Sequence, residues 1–109
     1  MKPPALRVSI TRFVDAHQPG FVECQFFDAD GARHVIIEKV PVVSSEHLWS
    51  DSEYPRDSDI DCMVLERFTS SQGVALVRID TELPWHIEST SGQTVFVVQE
   101  SQLTDLSSG

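Results

Sequence analysis

A chain of 109 residues with a net charge of −9, 40% hydrophobic side chains and two cysteines has the composition of one globular domain, not of a disordered or membrane-spanning chain. An acidic domain repels phosphate backbones and anionic headgroups, so neither nucleic acid nor a membrane is an expected partner. The charge is uneven, with five basic and six acidic side chains in residues 1–50 but three and eleven in residues 51–109.

The opening "MKPPALRVSITRF" sets two prolines where an export signal needs an apolar core, which points to a cytoplasmic protein. From Leu6 the period is two. Leu6, Val8 and Ile10 alternate with Arg7, Ser9 and Thr11, which predicts a half-buried strand. Val22, Cys24 and Phe26 against Glu23 and Gln25 predict the next. "HVIIEKV" returns across "DADG", so residues 21–40 read as a hairpin. Residues 41–60 read as one long acidic loop with at most a short helical turn at "SEHLWS". Beyond it, "CMVLERF" and "VALVRI" are joined by "TSSQG", and "WHIE" and "TVFVVQE" by "STSG". Each connection ends in the glycine that a hairpin loop with positive φ needs. The doubly apolar runs at 63–65 and 95–98 are expected to be central strands, and residues 104–109 to fray. The fold class is therefore all-β in a single domain: a small antiparallel barrel, or a sandwich, of about six to seven short strands, mostly hairpin-connected. A barrel is favoured because closure removes exposed edges.

The cadence "VRIDTELPWHIESTSGQTVFVV" resembles the closing strands of the β-barrel domains of translation elongation factors, where a proline-containing bend and a glycine-ended turn precede the last strand. The resemblance implies a barrel, and it carries no catalytic or binding motif.

Chemical motifs are sparse. Asp57, Asp59 and Asp61 match the first, third and fifth positions of a calcium loop, but Cys62 and Phe68 stand where an EF-hand requires glycine and a bidentate glutamate. His17, His34, His47 and His86 lack zinc-ligand spacing and are expected at the surface. There is no nucleophile elbow and no glycine-rich phosphate loop, and Asp80, Glu82 and Glu88 near "PWHIE" are acid–base candidates by availability alone. No metal or cofactor is expected. Cys24 and Cys62 are expected as buried thiols.

The stretch "SEHLWSDSEYPRDSDIDC" places Glu46, Asp51, Glu53, Asp57, Asp59 and Asp61 around Arg56. Such a density of carboxylates speeds encounter with a basic protein, and aromatic side chains among them supply anchors. The expected partner-binding residues are Trp49, Asp51, Glu53, Tyr54, Asp57, Asp59 and Asp61, with Trp85 completing an aromatic rim. The bland alternatives are a solvated connection and a Trp85 that plugs the barrel end. Small acidic inhibitors and immunity proteins of basic nucleases are similar in size and charge, and by that analogy the function is non-enzymatic protein binding. Two other classes stand beside it: a small-molecule or metal-dependent enzyme with a site at the barrel mouth, where His47 or His86 would pair with a carboxylate, and a self-associating structural subunit that forms homodimers through an exposed strand edge.

Overall fold

The computed structural model describes residues 4–17, 20–44 and 48–104. Two antiparallel sheets share one cluster of buried side chains. The first contains β1 (Ala5–Asp15), β2 (Phe21–Phe27), β3 (Arg33–Lys39) and β4 (Arg56–Asp61) in the order β3-β2-β1-β4, with the short β8 (Leu103–Thr104) against the start of β1. The second contains β5 (Met63–Thr69), β6 (Ala75–Asp80) and β7 (Val95–Gln99) in the order β5-β6-β7. Among the described residues no helix is long and apolar enough to cross a membrane.

The alternation of β1 and β2 is realised as expected: Leu6, Val8, Ile10, Val22, Cys24 and Phe26 are buried, and Ile10 pairs with Cys24. The hairpin of β2 and β3 closes on Asp28, whose carboxylate accepts the backbone N–H groups of Asp30 and Ala32 and contacts His34 Nε2 at 2.8 Å. Burial alone would raise this carboxyl's pKa, but the bonds from His34, Ala32 and Asp30 outweigh it and hold the value below the usual range. His34 is not a surface histidine. Its ring packs 5.2 Å from Phe26 and 4.8 Å from Phe96, so it helps join the two sheets.

The sheets do not close into a barrel. The chain leaves β4, turns inward at Cys62 and begins a separate sheet at β5. Elsewhere single main-chain bonds replace a closing ladder, from Ala29 N–H to Val97 O and from Thr90 N–H to Val35 O. Both thiols are free and buried, and burial pushes each up to about 12.

Other expectations change with this topology. The runs at 63–65 and 95–98 lie in β5 and β7, the two edges, while β6 is central. Val64 packs against the core but Met63 is 44% exposed and Leu65 is 50% exposed, so a continuous apolar run did not mean burial on both faces. "WHIE" is not a strand. Thr81 Oγ1 donates to Ile87 O and Ile87 N–H donates to Thr81 O, which folds residues 82–86 outward as a loop. His86 sits there at φ +56, a left-handed conformation that ends the strand alternation. Ile87 therefore enters the core, and Trp85 does not plug it. The short helical turn α1 lies at Val40–Val43, burying Val40 and Val43, while residues 45–47 of "SEHLWS" lie outside the described residues. Thr104 pairs with Ala5 in β8, and residues 105–109 also lie outside the described residues. The long acidic loop is shorter than expected, because residues 56–60 belong to β4.

Candidate functional site

The site begins with β4. Its sequence RDSDID alternates Asp57, Asp59 and Asp61 with Ser58 and Ile60, and the buried Ile60 fixes which side turns inward. The three carboxylates therefore share the opposite face, about 6.6 Å apart along the strand. They are drawn out in a line and do not converge as the ligands of a calcium loop do. Arg7 of β1 stands opposite Asp59.

Register decides where the main chain points. Cys62 N–H donates to Pro4 O, so these two residues form a hydrogen-bonded pair at the end of the β1–β4 ladder. Counting back through Leu6–Ile60, Val8–Ser58 and Ile10–Arg56, every second residue of β4 bonds to β1. The N–H and C=O groups of Asp57 and Asp59, and the N–H of Asp61, face away from β1. β4 is the last strand in its sheet, and among the described residues those groups have no backbone partner.

A groove of about 730 Å³ follows this edge. Residues 41–43 of the α1 turn and Ser44 after it line one part, Trp85 another, and Asp57, Ser58, Asp59 and Asp61 the strand itself. Ser58 Oγ donates to Val43 O, which fastens the α1 turn beside β4. Trp85, 53% exposed, donates its Nε1–H to Asp61 Oδ2 at 2.9 Å, so one carboxylate orients the indole. The groove thus offers carboxylates, an apolar wall and one flat ring. Among the described residues its lining contains no histidine or cysteine.

No protein-family model matches this chain, and no curated protein or solved structure matches it either. The site must be read from its own chemistry.

Of the expected partner-binding residues, Asp57, Asp59, Asp61 and Trp85 come together in the groove. Trp49, Asp51, Glu53 and Tyr54 do not line it. They belong to a loop that bonds to itself: Trp49 N–H donates to Ser52 Oγ, Ser52 N–H to Trp49 O, and Tyr54 Oη to the same carbonyl at 2.7 Å. Tyr54 also leans on the core. No single aromatic rim surrounds the acids, because Trp85 is held at Asp61 while Tyr54 is held at Trp49. Glu46 and His47 lie outside the described residues, and His86 is exposed outside the groove lining.

Residues 41–44 and Ser58 went unnoticed in the sequence. The signal for β4 was present: Ser58, Ile60 and Cys62 alternate with three aspartates, the period of a half-buried strand.

Proposed function

We propose that this protein is a non-enzymatic binding module that docks a basic protein in the groove beside β4. The observation that supports this reading is the meeting of three carboxylates and one exposed, carboxylate-oriented indole along a single open groove. Aligned negative charge accelerates encounter with a basic surface and fixes its register. The indole and the apolar α1 wall add the desolvated contact that charge alone lacks. The setting that this reading assumes is a reducing cytoplasm, consistent with two free thiols.

The experiment is affinity capture from the native lysate at low and raised salt, using the wild type and a variant with Asp57, Asp59 and Asp61 all changed to Asn. The reading expects a basic protein that the wild type captures, that salt weakens and that the variant loses. Identical captures by the two proteins would contradict it.

A further inference from the structure

We infer that the occupant of the groove is an extended segment of a basic protein, added to the free edge of β4 as one more antiparallel strand. This inference rests on the groove being the docking site, and it specifies how the partner is held. Asp57 and Asp59 present side chain and main chain together: their carboxylates line the groove and their N–H and C=O groups point outward along it. Such an edge is a template for strand addition, in which main-chain bonds supply affinity and alternate side chains supply specificity.

Charge selects the occupant. A second copy of this chain pairing edge to edge would set aspartates against aspartates, and like charges directly opposite each other destabilise a sheet. A strand with lysine or arginine opposite Asp57 and Asp59 converts the same contacts into attraction. Its intervening side chains would fall on the other face, beside Ser58 and the Pro41 and Val42 side chains of the α1 wall, where apolar residues fit. At the Asp61 end, Trp85 is 53% exposed, and an exposed indole is a favourable surface for a further cation. The expected ligand pattern is therefore basic–apolar–basic–apolar–basic.

The probe is a capped heptapeptide of alternating lysine and valine, titrated into the full chain at low salt with amide hydrogen exchange as the readout. In a hydrogen-bonded antiparallel pair each lysine N–H donates to an aspartate C=O, while the valine N–H groups point away. Binding should slow exchange at Asp57 and Asp59 by about tenfold or more, with little change at Ser58 and Ile60, which already bond to β1. N-methylating the lysine amides should weaken binding about tenfold at unchanged charge, whereas N-methylating the valine amides should leave it within about twofold. If both methylated peptides bind like the parent and the Asp57 and Asp59 amides exchange as before, strand addition is overturned and acidic docking survives. If the parent peptide fails to bind at millimolar concentration, both readings fall.

Discussion

Residues 48–55 and residues 56–61 adjoin in the chain and are both rich in carboxylates, yet they serve different ends. The first closes on itself, with three hydrogen bonds converging on the main chain of Trp49. The second lies flat against β1, buries Ile60 and turns one row of main-chain groups outward. Density of charge does not distinguish them. What distinguishes them is the form of the backbone: the first is a turn tied to Trp49, and the second is an extended strand with a whole row of main-chain groups directed away from its sheet.

The largest expected effect is on Cys62, which continues the inward face of β4. With its thiol pushed up to about 12 by burial, alkylation at pH 8 should be slower than for an exposed thiol by about a thousandfold or more, and normal rates should return in denaturant. Rapid labelling of the native protein would mean that the end of β4 is not packed as described. Next, Ile60→Ala should cost about 2–4 kcal/mol in urea unfolding, as expected for a fully buried β-branched side chain. A loss below about 1 kcal/mol would demote β4 to a loosely attached segment. In the loop, Tyr54→Phe removes the bond to Trp49 O and should cost only about 0.5–1 kcal/mol, because that bond is exposed to water. Smallest of all, Asp51→Asn should shift stability by no more than about 0.5 kcal/mol in either direction.

Much of the fold was legible because period two is read directly from apolar alternation. β1 and β2 follow it, β3, β5 and β6 are marked by apolar runs between turn signals, and the reversals ending at Gly31, Gly73 and Gly92 fall where the glycines adopt φ of +83°, +83° and +84°. β4 was missed because its inward face is Ser58, Ile60 and Cys62, so only one large aliphatic side chain marks it among aspartates. The opposite error occurred at residues 85–88, where Trp85 and Ile87 alternate on paper. The left-handed His86 sends one outward and the other into the core. Closure into a barrel was beyond the sequence, since it depends on whether β4 and β5 continue one sheet or start two, and the change of sheet occurs at a single residue, Cys62. The acids of the candidate site were visible in the sequence. The α1 wall was not, because "VPVV" carries no charge or motif and acts only through its place beside Ser58.

The edge of β4 is tested most directly by comparing two variants, each with carboxylates replaced by amides, in calorimetric titrations with the alternating lysine–valine peptide. One carries Asp57→Asn, Asp59→Asn and Asp61→Asn, and the other carries Asp51→Asn and Glu53→Gln. The first should weaken binding by about tenfold or more and flatten its salt dependence, while the second should stay within about twofold of the wild type. Equal weakening by both variants, or weakening by the loop variant alone, would contradict the claim that the edge of β4 is the docking site.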